Sequence, residues 1–254
     1  MDYGIKGKVA IVTGTGRKGA MGDTIARTLA AEGANIACVD INYEGAQEIA
    51  KDITAMGVKA IAFKADQSEH AQVVETYKQI VEQLGKADIL VNNAANLRGG
   101  GRIQKTTVED WKNLLEIDLD GPWYWIREVW EDMVAKNWGR IVNISSIAGV
   151  QGGFGQANYS AAKAGVIALA RTAALEGARA GIIANTVTLG VIDSAGGKMS
   201  ESEMMKRIAT QVALRKLGEP ADVATLVAFL VSEQCKYITG QDIHVMGGLD
   251  LFTY

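Results

Sequence analysis

What most limits the folds open to this chain is a regular alternation. Short runs of β-branched and apolar residues are each followed by a longer helix-patterned segment, at a repeat of roughly thirty residues. The strand candidates are 9–13, 35–40, 60–64, 89–92, 140–144, 182–188 and 242–245. Helix patterns fall between them near 22–32, 44–56, 69–84, 107–136, 157–179, 200–213 and 220–232. Strands that are apolar throughout, rather than at every second residue, are buried on both faces. With amphipathic helices interleaved, that means an α/β, doubly wound fold: a seven-stranded parallel sheet covered on both sides. Only two prolines occur, Pro122 and Pro220, and no Ser/Gly linker or low-complexity tract interrupts the pattern. Residues 1–254 therefore read as a single domain.

The apolar share of 48 % is ample for a large core. With 26 basic against 29 acidic side chains, net −3, the chain lacks the basic excess that phosphate neutralisation needs, which disfavours a nucleic-acid partner. Cys38 and Cys235 lie far apart without metal-ligand spacing and read as small buried hydrophobes in a reducing compartment. His70 and His244 belong to no His/Cys cluster, so no metal site is expected. No stretch of about 18 apolar residues occurs, and the N-terminal Met-Asp-Tyr-Gly-Ile-Lys-Gly-Lys lacks a signal-peptide core. The expectation is a cytoplasmic protein with no membrane partner.

The first strand runs into Thr13-Gly-Thr-Gly-Arg-Lys-Gly-Ala-Met-Gly22, and a helix follows. A glycine-rich turn at that junction lets backbone N–H groups and the helix N-terminus meet a pyrophosphate, as in Rossmann-type folds. Such turns also simply close loops. An acid, Asp40, ends the second strand about 20 residues past the turn and lifts the dinucleotide reading above that one. A carboxylate there can hold both hydroxyls of an adenosine ribose and repels a 2′-phosphate, which points to NAD, with NADP second.

Further on, Ser146 is followed thirteen residues later by Tyr159 and four beyond that by Lys163. Residues four apart share a helix face, so phenol and ammonium converge. A tyrosine with an ordinary pKa of about 10 needs roughly 4 kcal/mol to become a base near neutrality. One cation about 4 Å away, at an effective dielectric near 20, supplies about that much. The pair is sized to make a general acid/base of a phenol. Tyr–Lys pairs at this spacing are often only solvated surface. Here a strand ending in hydroxyls precedes them, and Ala157, Ala161, Ala162, Ala164 and Gly165 leave room for a close approach.

With Asn92-Asn-Ala-Ala95 after the fourth strand, and Gly240-Gln-Asp-Ile-His-Val-Met-Gly-Gly248 near the C-terminus, these motifs closely resemble the short-chain dehydrogenase/reductase family over essentially the whole length. The nearest flavour is that of 3-oxoacyl-acyl-carrier-protein reductases and related secondary-alcohol dehydrogenases, as in Arg215-Lys-Leu-Gly-Glu-Pro220. The resemblance implies catalysis by Ser146 on the substrate oxygen, Tyr159 on the proton, and Lys163 beside the tyrosine and nicotinamide ribose. It implies cofactor contacts from Gly14, Thr15, Gly16, Gly19 and Met21, then Asp40 and Ile41, then Asp66 and Gln67. Asn93, Ala94 and Ala95 would line the middle of the site, and Gly190, Ile192 and Ser194 would meet the carboxamide and pyrophosphate.

The chain departs from the family in places. Gly14 and Gly22 are eight apart where the family has six, which puts Ala20 at the middle glycine. Asp118 stands where many relatives have an asparagine that anchors a water, and is carried as a catalytic residue. Ala95 and Leu189 replace a glycine and a proline. Arg17 and Lys18 in the turn oppose the NAD reading, because NADPH-preferring relatives place a basic residue there; an exposed, screened lysine returns less than a facing carboxylate costs.

For substrate, Gln151 and Phe154 are expected to line the pocket, and Arg98 and Arg102 to meet an anion or remain a solvated basic loop. Residues 190–212 resemble a substrate lid, with Gly196-Gly197 as hinge and Met199, Met204 and Met205 as cover. Trp123, Trp125, Trp130 and Tyr124 read as core or, preferably, as the seam of a homotetramer. The resulting expectation is an NAD-dependent oxidoreductase that interconverts a small secondary alcohol and a ketone. The alternatives are an NADPH-dependent 3-oxoacyl thioester reductase and a non-catalytic nicotinamide-binding protein.

Overall fold

A computed structural model describes residues 2–96, 101–194 and 201–251. Seven parallel strands form one sheet in the order β3-β2-β1-β4-β5-β6-β7. They are β1 (Val9–Thr13), β2 (Asn35–Asp40), β3 (Ala60–Lys64), β4 (Ile89–Asn92), β5 (Gly139–Ser146), β6 (Ile182–Leu189) and β7 (Asp242–Val245). The helices are α1 (Met21–Ala31), α2 (Tyr43–Thr54), α3 (His70–Leu84), α4 (Val108–Leu115), α5 (Gly121–Lys136), α6 (Ile147–Gln151), α7 (Ala157–Gly177), α8 (Glu203–Gln211) and α9 (Pro220–Leu230).

Successive strand residues face opposite sides, so an all-apolar strand feeds two cores at once. Ala10 and Val12 of β1, with Ile36 and Cys38 of β2, face a cluster completed by Ile25 and Leu29 of α1, Ile49 and Ile53 of α2, and Val227 of α9. Ile11 and Val39 face the other side, under Val73 and Ile80 of α3, Val129 and Met133 of α5, and Ala173 of α7. Burying each of the larger side chains stabilises the fold by about 1.5–3 kcal/mol. Between β1 and β4 the strand order reverses direction, and that switch point opens a crevice at the carboxyl ends of the strands.

Three features differ from the sequence expectation. β5 and β6 run further than 140–144 and 182–188, because their pairing continues to Ser146 opposite Leu189. The pattern at 107–136 is not one helix: a π-helical turn, Glu116–Asp120, separates α4 from α5. Pro122 has no N–H to donate to the Asp118 carbonyl four residues back, so the α-register fails there. The Gly121 N–H bonds instead to the Glu116 carbonyl, five residues back.

Third, the tryptophans do not form one surface. Trp125 is fully buried in the chain's own core and has no face left for a partner, which corrects its assignment to a seam. Trp130 packs on that core, whereas Trp123 is exposed beneath the Arg127 guanidinium. Cys38 and Cys235 are free and buried, and burial pushes the Cys38 thiol up to about 12.

Candidate active site

The crevice is a groove of about 730 Å³. Its floor is laid by the first turn. Gly14 has a φ of 77°, and its N–H donates to the Val39 carbonyl at 2.8 Å. A Cβ on Gly22 would sit 2.1 Å from the Gly14 carbonyl, so only glycine lets α1 start this close to β1. The first helical N–H groups have no intrahelical partner. Ala20, at the cap position, makes no side-chain cap bond, so the N-terminus of α1 opens onto a groove lined by Ala20, Met21 and Gly22. That is the donor set a pyrophosphate needs.

At one end, Asp40, Ile41, Asp66 and Gln67 line the groove. Asp40 Oδ2 accepts the Gly16 N–H at 2.6 Å and Oδ1 the Asn42 N–H at 2.7 Å. The two basic residues of the turn have partners of their own. Lys18 pairs with Asp52 (2.9 Å) and Glu48 (3.3 Å) of α2. Arg17 reaches across the groove to the Ser194 carbonyl at 3.3 Å. Asp66 accepts from the Ser68 N–H and hydroxyl, which starts the turn into α3. The Gln67 amide donates to the Ile117 and Ala94 carbonyls, fastening the π-turn to the end of β4.

In the middle, Asn93, Ala94 and Ala95 line the groove beside Gly14 and Met21. The Asn93 side chain donates to the Thr13 carbonyl at 2.8 Å, locking β4 to β1. Gly190, Ile192 and Ser194 form the rim after β6.

Ser146, Tyr159 and Lys163 meet at the other end. The Ser145 hydroxyl donates to the Lys163 carbonyl at 2.8 Å, and the Asn143 amide to the Val166 carbonyl at 3.0 Å, so β5 fixes the register of α7. Lys163 is buried; its Nζ donates to the Ile144 carbonyl (3.3 Å) and lies 5.6 Å from the centre of the Tyr159 ring. Ser146 caps α6, with Oγ accepting the Ala148 N–H at 3.2 Å. Asp118, wholly out of solvent, places Oδ2 3.4 Å from Lys163 Nζ, while Oδ1 accepts the Asn96 N–H at 2.7 Å. Burial raises its carboxyl above the usual range, against the pull of Lys163 and the Asn96 N–H.

Other expected residues stand off the groove surface. Thr15 is buried with its hydroxyl on the Val39 carbonyl, Gly16 backs Asp40, and Gly19 donates to Asp23 Oδ2 at 2.7 Å. These three brace the lengthened turn rather than line it. Gln151 and Phe154 do not line the groove either. Gln151 is exposed, and Phe154 is 88 % exposed beneath the Arg102 guanidinium. Arg98, the Gly196-Gly197 hinge and Met199 lie outside the described residues. Met204 is exposed on α8, and Met205 is half-buried there. Sequence reasoning missed Asp23, which ties the turn to Arg27 and through it to Asp52, although an acid in the first turn of α1 was a visible sign. It also missed Asn96, whose backbone holds Asp118.

Comparisons with known proteins agree with this fold. Residues 14–250 match a family model described as enoyl-(acyl carrier protein) reductase. The chain is 39 % identical over 246 residues to the 3-oxoacyl-(acyl-carrier-protein) reductase of Staphylococcus epidermidis, covering 95 % of this chain and 98 % of the relative. Against the same enzyme of Vibrio cholerae it is 37 % identical over 245 residues, covering 96 % and 98 %. Among solved structures, a gluconate 5-dehydrogenase from Burkholderia cenocepacia, in complex with NADP and tartrate, superposes with a TM-score of 0.92 at 29 % identity, covering 99 % of this chain and 98 % of that one. An NAD+-bound xylitol dehydrogenase gives 0.89 at 29 % identity, covering 96 % and 99 %. No helix among the described residues is long and apolar enough to cross a membrane.

Proposed function

This chain belongs to the short-chain dehydrogenase/reductase family and is an oxidoreductase of it, and from that premise we propose that it interconverts a ketone and a secondary alcohol with Tyr159 as general acid/base. The observation that carries the reading is the meeting of Ser146, Tyr159 and Lys163 at one end of a groove whose other end holds Asp40. When bound there, the nicotinamide supplies or accepts the hydride. Ser146 Oγ holds the substrate oxygen, and the Tyr159 hydroxyl gives it a proton on reduction or takes one on oxidation. The buried Lys163 ammonium stabilises the negative charge left on the phenol oxygen.

The proposed dinucleotide is NAD(H). Asp40 is supported by two backbone N–H groups and lines the groove, where its charge would oppose a 2′-phosphate on an adenosine ribose, while Lys18 is held by Glu48 and Asp52. The similar structures are bound to NAD+ in one case and NADP in the other, so the preference rests on these contacts.

For the substrate, the sequence alone ranks a simple secondary alcohol above a 3-oxoacyl thioester. The relatives near 39 % identity favour the reverse order, and a 3-oxoacyl thioester is the proposed class. It is itself a ketone, so the chemistry at the reacting carbon is unchanged. A small polyhydroxy compound is the second reading, supported by the xylitol and gluconate dehydrogenases that share the fold. Exposed Trp111, Trp123 and Leu175 support self-association, with the homotetramer as the proposed state. Light scattering that finds only monomer removes that part.

Absorbance of the reduced nicotinamide, followed with 3-oxoacyl thioesters, simple ketones and polyols against both dinucleotides, tests the reading. Turnover of a thioester with NADH supports it in full. Tight dinucleotide binding without turnover of any ketone or alcohol overturns it in favour of a non-catalytic binder.

A further inference from the structure

We infer that Asp118 is the buried counter-charge of Lys163 and sets the pH range over which Tyr159 exchanges its proton, an assignment that rests on the reading of Tyr159 as general acid/base. Both partners are out of water, Asp118 completely and Lys163 with 4 % exposed. Charges this deep persist only when paired. Asp118 Oδ2 lies 3.4 Å from Lys163 Nζ and makes no hydrogen bond among the described residues, so the contact is coulombic more than directional. Oδ1 already serves the Asn96 N–H, a task an amide oxygen would do equally well. What the acid adds at this position is therefore charge.

That charge changes what Lys163 can do. One ammonium now faces two anions, the Asp118 carboxylate and the phenolate that forms on Tyr159. Asp118 opposes the second negative charge, so the ammonium stabilises a phenolate less than it would beside a neutral residue. Burial, which already raises the Asp118 carboxyl, reinforces the mutual dependence of the pair.

Few other charges reach this point. From β5 the Ile144 carbonyl, an uncharged group, meets Lys163 Nζ, and α7 contributes Tyr159 itself. Exposed Glu116 and half-buried Asp120 share the π-turn but form no ion pair with Lys163 among the described residues. On α4, Asp110 is exposed and committed to its capping box with Thr107. Among the described residues, the remaining charged ones lining the groove are Arg17, Asp40 and Asp66. Asp40 ends β2, three strands from β5, or about 14 Å at normal strand spacing.

The test is the pH dependence of kcat/KM for alcohol oxidation in wild type, Asp118→Asn and Tyr159→Phe. The expected result is an acid limb moved to lower pH by about one unit in Asp118→Asn. The same variants also permit an ultraviolet difference titration of the Tyr159 phenolate, wild type minus Tyr159→Phe, which needs no substrate and should move the same way. A profile that coincides with wild type, or a uniform loss of rate at every pH, overturns the assignment. If Tyr159→Phe turns over normally, it is the general acid/base reading that fails. Should Asp118→Asn not fold, Asp118→Ser removes the same charge and takes its place in both measurements.

Discussion

Asp40 and Gly16 meet at 2.6 Å, the carboxylate at the end of β2 accepting an amide proton from the lengthened turn after β1. The bond fastens the turn and fixes a negative charge at the end of the groove away from Tyr159. A Cβ on Gly16 would fall 2.5 Å from Asp40 Cγ, so the contact requires glycine.

Neutralising this acid should therefore change cofactor choice. Asp40→Asn keeps an acceptor for Gly16 and removes the charge. The ratio of kcat/KM for NAD over NADP should fall at least about tenfold, or roughly 1.4 kcal/mol. A ratio unchanged in the variant would mean that Asp40 does not select the dinucleotide.

Two glycines of the same turn should behave differently. In Gly22→Ala the new methyl meets the Gly14 carbonyl, which is backbone and cannot swing aside. Dinucleotide binding by calorimetry should be lost, with a lowered Tm. In Gly19→Ala the methyl meets open space, and only the φ of 75° is strained, a cost of about 1–2 kcal/mol. Binding should survive there; equal loss in both would count against a tightly packed turn at Gly22.

His244 on β7 contacts Asp250 (2.9 Å) and Asp242 (3.3 Å), and these two acids raise its pKa, the Asp250 hydrogen bond most. A folded value above the ordinary one of about 6.5 stabilises the fold fully below that pH and progressively less as pH rises through the folded value. Between about pH 6 and pH 9, the Tm of wild type should fall more steeply than that of His244→Asn. Parallel curves would show that the pair contributes nothing.

The sheet was legible in the sequence because its central strands are apolar on both faces. The runs at 9–13, 35–40, 60–64, 89–92 and 242–245 coincide with strands to the residue. Ser145 and Ser146 were not legible as strand, since hydroxyls carry no burial signal and their pairing depends on Thr188 and Leu189, over forty residues away. Helical periodicity could not reveal the π-turn, which inserts a residue into the register without breaking the apolar pattern, although Pro122 marked its place. α6 is too short to show a period. At the site, residues near one another in sequence, such as Tyr159 and Lys163, could be paired from spacing alone. The contacts Asp40–Gly16, Asp118–Lys163 and Lys18–Asp52 span 24, 45 and 34 residues, and only the folded chain brings them together.

The most direct test of the central claim compares wild type with Tyr159→Phe on whichever substrate turns over, measuring kcat and NADH affinity together. Loss of the hydroxyl should lower kcat by about a hundred- to ten-thousandfold. NADH affinity should stay within a few fold, because Lys163 and the glycine-rich turn are untouched. Turnover at the wild-type rate in the phenylalanine variant would contradict the account, and the proton would have to move through some other group.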